Sequence, residues 1–410
     1  MRILLIILFS GFLVFNLKAQ SFYIFRDTVS LSSNSGEAIF TDRQFNGLTI
    51  QSERLLDWNS IEIIVGSNLS KPDTIKLSQD EHIEGFQSNL LTFNHQTNFL
   101  IRSKQAITLE LIFQYVEPIQ TNLSLPNLKR ALCDAPSGII QQIVWRQGLN
   151  APKVGRTSTK THHCIVHHSA GGNSQTDYTQ LVRSYYIQHT EVNGWDDIGY
   201  NYLIAADGSI FAGRDPEKPE ISQDNVLGAH FCSKNANTMG VCLIGDYEIS
   251  NPSTAIMASL KELLLWKYVK DTLSPLSTAI HPQSGGSALE ALAGHRQGCA
   301  TICPGNGVFN LLADLRNDLY GEYIKCLPFV SINSYEINDK QIVYPNPSQN
   351  KVHLHSEYLN QIEKLYLYNT LGTIISQNIS EVYDLPSGFY IFVIELIDGR
   401  KFKQKIIVLE

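Results

Sequence analysis

Apolar residues occur in short, strand-like runs at both ends of the chain. In the N-terminal part, residues 107–113 (Ile-Thr-Leu-Glu-Leu-Ile-Phe) begin with alternating apolar and polar side chains and end in an apolar run, and residues 388–394 form an apolar run near the C-terminus. Asn, Gly, Ser and Pro separate these runs from their neighbours. This pattern is typical of β-structure. It predicts an N-terminal β-sandwich over residues 20–130 and a small C-terminal β-sandwich over residues 338–410.

The middle of the chain has a mixed pattern of strands and helices. Apolar residues recur at helical spacing over about 175–190 and 253–270, and a Ser-Thr pair opens the second segment as a helix cap. Two short apolar runs on either side of an Asp-Gly pair at 207–208 predict a β-hairpin. Because strands and helices interleave, we expect a central α/β domain, with a mixed sheet flanked by helices, over residues 133–326.

The first nineteen residues have the pattern of a secretory signal peptide. Arg2 precedes an apolar segment over residues 3–15, and Ala19 provides the small residue expected near a cleavage site. The segment is shorter than the roughly 20 apolar residues that span a bilayer, so a membrane anchor is the less favoured alternative. We therefore expect a mature chain with no membrane span, exported from the cytoplasm.

Composition limits the class of protein further. A chain of 410 residues exceeds what one hydrophobic core usually organises, which predicts two or three folded domains. Hydrophobic residues make up 43% and charged residues 17%, which excludes a disordered chain. The formal net charge is −7, and Lys and Arg form no dense cluster. Nucleic acid is therefore not an expected partner.

All seven cysteines lie within residues 133–326, and both flanking regions have none. In an oxidising compartment an odd number leaves at least one thiol for another role, of which metal ligation is the commonest. Cys133 and Cys326 stand at the two ends of the central domain and are expected to pair. Cys232 and Cys299 lie in loop-like segments and form the second expected bridge. Two more cysteines lie in apolar runs and are expected to be buried, inert thiols: Cys164 and Cys242.

Histidines concentrate in the same domain, where eight of the twelve fall between residues 162 and 295. An apolar strand-like run ends in His167 and His168, so one imidazole is expected on each face of the strand. His295 and Cys303 lie eight residues apart in a loop, which can bring both to one ion. Two imidazoles and one thiolate form a known catalytic zinc set that leaves a position open for water. The residues therefore predict a Zn²⁺ site made of His295, Cys303 and one of the paired histidines.

The C-terminal region carries a series of motifs in a characteristic order. They are 343–348 (Val-Tyr-Pro-Asn-Pro-Ser), 365–372 (Leu-Tyr-Leu-Tyr-Asn-Thr-Leu-Gly), 385–390 (Leu-Pro-Ser-Gly-Phe-Tyr) and the closing strand 405–410. Together they resemble the C-terminal sorting domain of type IX secretion substrates. The resemblance implies a bacterium of the Bacteroidetes type and export through the periplasm by the type IX secretion machinery. It also implies a product that is secreted or attached to the cell surface.

A second resemblance covers roughly residues 140–322. Its motifs are 165–170 (Ile-Val-His-His-Ser-Ala), 195–204 (Trp-Asp-Asp-Ile-Gly-Tyr-Asn-Tyr-Leu-Ile), the hairpin end 208–214, Gly228-Ala229-His230, 237–241 (Asn-Thr-Met-Gly-Val), Gly294-His295-Arg296 and 303–305 (Cys-Pro-Gly). In this order they resemble the peptidoglycan recognition protein and type 2 N-acetylmuramoyl-L-alanine amidase family. The resemblance implies peptidoglycan or muropeptides as the partner.

The resemblance also implies roles for particular residues. It selects His167 as the first zinc ligand, beside His295 and Cys303, and it makes Tyr200 the catalytic tyrosine. Thr301 occupies the position where members of the family carry Thr or Lys beside the metal. Three further residues are candidates for contacts with substrate, although a structural role is the favoured one for His168. They are His168, His230 and Arg296.

The expected activity is hydrolysis of the amide between the lactyl group of N-acetylmuramic acid and L-alanine. Non-catalytic members of the family typically lose the cysteine ligand, so Cys303 favours catalysis here. One alternative is a peptidoglycan-binding protein without activity. Another is a surface adhesin that uses the N-terminal region and keeps the centre as a scaffold.

Overall fold

The computed structural model describes residues 21–65, 73–80, 83, 85–119, 133–282, 288–326, 342–369 and 374–409. The expected signal peptide at 1–19 and the start of the expected sorting domain at 338–341 lie outside these residues. The chain divides into two compact units, the first comprising residues 1–123, 141–154 and 171–198 and the second comprising 124–140, 155–170 and 199–410. Within the described ranges, no helix has both the length and the apolar character needed to cross a membrane.

The first unit is built on an antiparallel sheet from the N-terminal region. Its strands are β1 (Phe22–Leu31), β2 (Ser35–Ser52), β3 (Ile61–Val65), β4 (Asp73–Lys76), β5 (Phe86–Gln87), β6 (Leu91–Ser103) and β7 (Ile107–Val116). They pair in the order β1, β7, β2, β6, β3, β4, and β5 pairs with β2. A 3₁₀ turn over Trp58–Ser60 precedes β3.

Alternating side chains of these strands form an apolar core. Phe45 packs edge-on against Phe93, Phe99 and Phe113, with ring centroids 5.0 to 6.0 Å apart. The region is therefore β-rich, as the strand pattern predicted. All seven described strands join one sheet, so the arrangement of two sheets in a sandwich stays a prediction.

Two helices of the central sequence belong to the first unit. They are α1 (Gln142–Trp145) and α2 (Tyr178–Ile187), and a π-helical turn over Gln188–Val192 extends α2. Asp177 caps α2 by accepting a hydrogen bond from the Gln180 N–H. The amide of Gln114 on β7 donates to the carbonyl of Ser184, which ties the sheet to this helix.

The second unit contains the mixed central sheet. Its strands are β8 (His163–His168), β9 (Tyr202–Ile204), β10 (Ile210–Ala212), β11 (Thr238–Leu243) and β14 (Leu292–Gly294), and β12 (Thr278–Ile280) pairs separately with β13 (Ala288–Glu290). The sheet order is β10, β9, β11, β8, β14. Only β9 and β10 run antiparallel within this sheet, and they form the hairpin that the Asp-Gly pair predicted.

The helices of the second unit cover an apolar core. They are α3 (Thr254–Asp271), α4 (Asn306–Phe309) and α5 (Leu312–Cys326). The Ser253 hydroxyl caps α3 by accepting a hydrogen bond from the Ile256 N–H, as expected. Side chains of α3 and α5 join those of β8 and β11 in one buried cluster that includes Cys164 and Val166.

Both expected disulfides are present in the second unit. Cys133 is bonded to Cys326, and Cys232 is bonded to Cys299. The three remaining cysteines are buried free thiols: Cys164, Cys242 and Cys303. Burial of the first two agrees with their apolar sequence surroundings.

The C-terminal region forms two further sheets. Its elements are β15 (Val343–Tyr344), β16 (Ser348–Gln349), β17 (Lys351–Leu354), α6 (Ser356–Leu359), β18 (Ile362–Asn369), β19 (Ile374–Ser376), β20 (Val382–Asp384), β21 (Gly388–Leu396) and β22 (Lys401–Leu409). One sheet has the order β15, β17, β20, and the other has the order β16, β22, β21, β18, β19. Residues of both sheets, among them Val352 and Phe392, share one buried core.

Candidate metal centre

Strand β8 delivers its two terminal histidines to opposite faces of the sheet. His167 follows Ile165, which packs with Phe231 on one side. His168 lies on the side of Val166, and its Nδ1 accepts a hydrogen bond of 3.2 Å from the Tyr247 N–H. The His167 side chain, and not that of His168, is grouped with the other expected ligands, His295 and Cys303.

Three buried side chains bring their donor atoms together at the carboxyl end of β8. They belong to His167, His295 and Cys303, and their ligand atoms lie within 4.8 Å of one another. Their exposed fractions are 0%, 1% and 2%. The residues come from positions up to 136 apart in the sequence, so the fold, and not local sequence, assembles the group.

The close approach of two loops explains how His295 and Cys303 meet. His295 begins a 3₁₀ turn, His295–Gln297, directly after β14, and β14 pairs in parallel with β8. A Cβ atom on Gly294 would lie 2.9 Å from Cδ of Pro304, so glycine permits this contact. The Arg296 N–H donates to the Cys303 carbonyl at 2.9 Å and closes the loop.

The surroundings of Cys303 suit a thiolate. Its Sγ accepts a hydrogen bond of 3.3 Å from the His168 backbone N–H and lies 3.8 Å from Nδ1 of His167. The Thr301 hydroxyl accepts a hydrogen bond of 2.8 Å from the Cys303 N–H. A donated N–H favours the charged form of a sulfur ligand. Two imidazoles and a thiolate at these distances are the donor set that zinc prefers, so the residues fit that ion.

A second group of possible donors shares His295. Cys232, Cys299 and His295 also lie within 4.8 Å of one another, with Sγ of Cys232 3.8 Å from Nε2 of His295. Because the two cysteines are joined in a disulfide, neither offers a thiolate. The first group is therefore the better candidate.

Tyr200 lies beside the donors. Its ring centroid is 5.2 Å from that of His167, and the side chain is 5% exposed. Burial raises the pKa of the neighbouring Cys242 thiol, and a hydrogen bond with the Tyr200 side chain opposes that shift. Cys242 pairs with His167 across β11 and β8, so the tyrosine and the histidine are fixed to the same part of the sheet.

The three candidates for substrate contacts make close contacts with protein groups. His230 is 2% exposed, and its Nδ1 lies 3.0 Å from Nε2 of His167. Arg296 donates to the Ile302 carbonyl and to Asn306 Oδ1. His168 contacts Tyr247, as described above. The sequence did not indicate the contacts of His230 and His168, since they join residues 63 and 79 positions apart along the chain.

Comparison with known proteins identifies the two regions that carry sequence motifs. Residues 157–306 match the N-acetylmuramoyl-L-alanine amidase family model, and residues 342–409 match the secretion system C-terminal sorting domain. All three residues of the donor group lie within the first match. The fold and the site therefore define an α/β domain of the amidase class joined to a sorting domain.

The chain is similar to several known proteins over part of its length. The chain is 30% identical over 176 residues to peptidoglycan-recognition protein SC2 of Drosophila melanogaster, covering 42% of this chain and 83% of that protein. It is 34% identical over 131 residues to N-acetylmuramoyl-L-alanine amidase of Sus scrofa, and this match covers 32% of this chain and 19% of that protein. The solved structure of wild-type Drosophila PGRP-LB matches 43% of this chain and 92% of its own, with 28% identity and a TM-score of 0.34. The chain belongs to the peptidoglycan-recognition protein and type 2 amidase family.

Proposed function

We propose that this protein is a secreted, zinc-dependent N-acetylmuramoyl-L-alanine amidase. The observation that carries the proposal is the buried group of His167, His295 and Cys303, whose donor atoms lie within 4.8 Å of one another. Membership of a family that includes such amidases supports the same activity. The substrate is peptidoglycan or its muropeptides, and the scissile bond joins the lactyl group of N-acetylmuramic acid to L-alanine.

The three donors are proposed to hold one Zn²⁺ ion. Zinc in such a site supplies Lewis-acid chemistry, because it polarises an amide carbonyl and acidifies water at neutral pH. The His168 backbone N–H donates a hydrogen bond to Sγ of Cys303, and such a contact favours the thiolate form. Burial of all three side chains excludes bulk water and strengthens local electrostatic interactions.

Tyr200 is the proposed catalytic residue of the chain itself. Its hydroxyl would donate a hydrogen bond to the oxygen on which negative charge develops as water adds to the carbonyl carbon. Such a bond is worth about 3 kcal/mol in comparable sites. When the C–N bond breaks, the amino group of L-alanine leaves with a proton and the lactyl group becomes a carboxylate. Thr301 assists by holding the backbone of Cys303.

We assign the remaining three candidates to holding the site. His168 and Arg296 position the loop of Cys303 through the contacts described above, and His230 contacts His167. The C-terminal match to a sorting domain supports export by the type IX secretion machinery to the cell surface or the medium. The two-sheet core of that region supports a small β-sandwich.

Mass spectrometry of a defined muropeptide incubated with the protein tests the activity. We expect separation of the stem peptide from the sugar at the lactyl to L-alanine bond, and its loss when a chelator removes the metal. Zinc-loaded protein that binds the muropeptide and leaves it intact would instead identify a peptidoglycan-binding protein without amidase activity.

A further inference from the structure

A series of buried hydrogen bonds extends from His167 away from the donor group. Nε2 of His167 lies 3.0 Å from Nδ1 of His230. Nε2 of His230 lies 3.2 Å from the Thr238 hydroxyl oxygen. That hydroxyl donates to the Asn235 carbonyl oxygen at 2.7 Å. His167, His230 and Thr238 are at most 2% exposed, so bulk water does not compete for these contacts.

The last hydrogen bond of this series, from Thr238 to Asn235, determines which atoms carry the protons. A carbonyl oxygen only accepts hydrogen bonds, so the single hydroxyl proton of Thr238 goes to Asn235. Thr238 must therefore accept the hydrogen bond from His230, whose proton lies on Nε2. In a neutral imidazole the other nitrogen is then an acceptor. It follows that Nδ1 of His230 accepts a hydrogen bond from the protonated Nε2 of His167.

This assignment leaves a lone pair on Nδ1 of His167. That nitrogen is the one 3.8 Å from Sγ of Cys303. A metal ligand must present an unprotonated nitrogen, and the hydrogen bond made by the other ring nitrogen decides which one is unprotonated.

The His230 ring is fixed in place by its backbone and by two glycines. The N–H groups of His230 and Phe231 both donate to Asn235 Oδ1, at 2.7 and 2.8 Å. A Cβ atom on Gly228 or on Gly240 would lie 2.6 Å from the imidazole of His230. The ring therefore occupies a slot that only glycine leaves open on these two sides.

We propose that His230 and Thr238 are positioning residues that fix the tautomer of His167 and direct its Nδ1 to the metal. The proposal rests on the metal site of the proposed function, but it does not require that the protein hydrolyse peptidoglycan. It predicts that zinc affinity depends on an acceptor at the position of His230 Nδ1.

Two pairs of variants test the proposal in the full-length protein. His230→Phe keeps a ring and loses the acceptor, whereas the carbonyl oxygen of His230→Asn can occupy the position of Nδ1. Thr238→Val removes the hydroxyl with little change of shape, and Thr238→Ser retains it. Zinc affinity is measured by competition with a chromophoric chelator, and thermal unfolding of each apo protein checks the fold.

We expect His230→Phe to weaken zinc binding by about 10- to 100-fold, the usual effect of removing a group that orients a ligand. His230→Asn should restore most of the affinity. Thr238→Val should weaken it less, and Thr238→Ser should bind as the wild type does. A folded His230→Phe protein with wild-type zinc affinity would overturn the proposal. Wild-type protein that binds zinc but hydrolyses nothing would overturn the proposed activity alone.

Nitrogen NMR of ¹⁵N-histidine-labelled apo protein tests the tautomers without any substitution. The proposal predicts a proton on Nε2 of both His167 and His230, and a shift toward the other tautomer in Thr238→Val. A proton on Nδ1 of His167 in the wild type would contradict it.

Discussion

The N-terminal sheet and the central domain bury different kinds of polar side chain. In the described part of the N-terminal region, the buried polar residues are all neutral: Asn, Thr, Ser and Gln. All the buried Asp, Lys, Arg and His side chains of the described residues lie between 133 and 326. Burying an ionisable group costs free energy unless it is paired or binds a metal. The buried ionisable side chains of the described residues, including the three donors of the candidate metal centre, therefore belong to the central domain.

Buried ionisable groups in the central domain are themselves of two kinds. Asp224 lies 2.5 Å from Nζ of Lys267 and 2.6 Å from Nζ of Lys270, and this cluster is paired within the protein. His167, His295 and Cys303 instead direct donor atoms to one point. We expect the first cluster to contribute to stability and the second to contribute to activity.

Removal of a proposed ligand should have the largest effect. Cys303→Ala deletes the only thiolate of the donor group, so zinc affinity should fall by more than the roughly 100-fold caused by loss of an orienting group. Hydrolysis should fall with it. Cys164→Ala is the matched control, because it removes another buried free thiol and should leave zinc affinity unchanged. Equal zinc affinity in the two variants, measured by chelator competition, would break the distinction between them.

Tyr200→Phe should lower turnover by about 100-fold, corresponding to the roughly 3 kcal/mol of a hydrogen bond to the developing oxyanion. Zinc affinity should be unchanged, since the hydroxyl is not a proposed ligand. Tyr202→Phe provides the control, because Tyr202 is a buried core residue on β9. Steady-state rates of muropeptide cleavage separate the two, and unchanged turnover in Tyr200→Phe would remove Tyr200 from the mechanism.

Asp224→Asn should destabilise the protein by about 3 kcal/mol, because it leaves the buried Lys267 with weaker compensation. Zinc affinity should not change. Burial alone would raise the pKa of Asp224, but Lys267 and Lys270 hold it below its ordinary value. The wild type therefore gains this stability above about pH 4 and loses it as the pH falls through the lowered pKa. Denaturant unfolding should show that the free energies of unfolding of the wild type and Asp224→Asn converge as the pH falls. A difference between them that does not change with pH would contradict this assignment.

The smallest effect is expected in the N-terminal sheet. Thr49→Val removes a hydrogen bond of 2.9 Å between Thr49 and Gln188 within the first unit. The loss should be about 1 kcal/mol in the free energy of unfolding, with no change in zinc affinity or turnover. A large loss of turnover at unchanged stability would show that this region does more than stabilise the fold.

The sequence predicted local structure well where a short pattern determines it. The capped helix after Ser253 and the hairpin at the Asp-Gly pair agree with the structure. Both disulfides also agree, although they join cysteines 193 and 67 residues apart and were expected from the places of these cysteines in the central domain. Strand pattern did not reveal how strands are distributed among sheets. It also did not reveal that α2 shares a unit with the N-terminal sheet. The distribution of strands and the placement of α2 both depend on contacts between residues that are distant in the sequence.

The candidate site shows the same limit. Alternation along β8 placed His167 and His168 on opposite faces but could not choose between them, because either face can hold a ligand. No short sequence pattern predicts the supporting contacts of His230, Thr238 and the His168 backbone. Only the pairing of distant strands and loops brings them to the donors.

Zinc titration of chelator-stripped protein, with cleavage of a defined muropeptide followed at each addition, tests the central claim most directly. Our account predicts that the stripped protein is inactive and that the rate rises until one zinc ion is bound per chain. Cleavage at the lactyl to L-alanine bond should be absent from Cys303→Ala under the same conditions. Full activity without metal, or one tightly bound zinc ion with no cleavage by the wild type, would contradict the account.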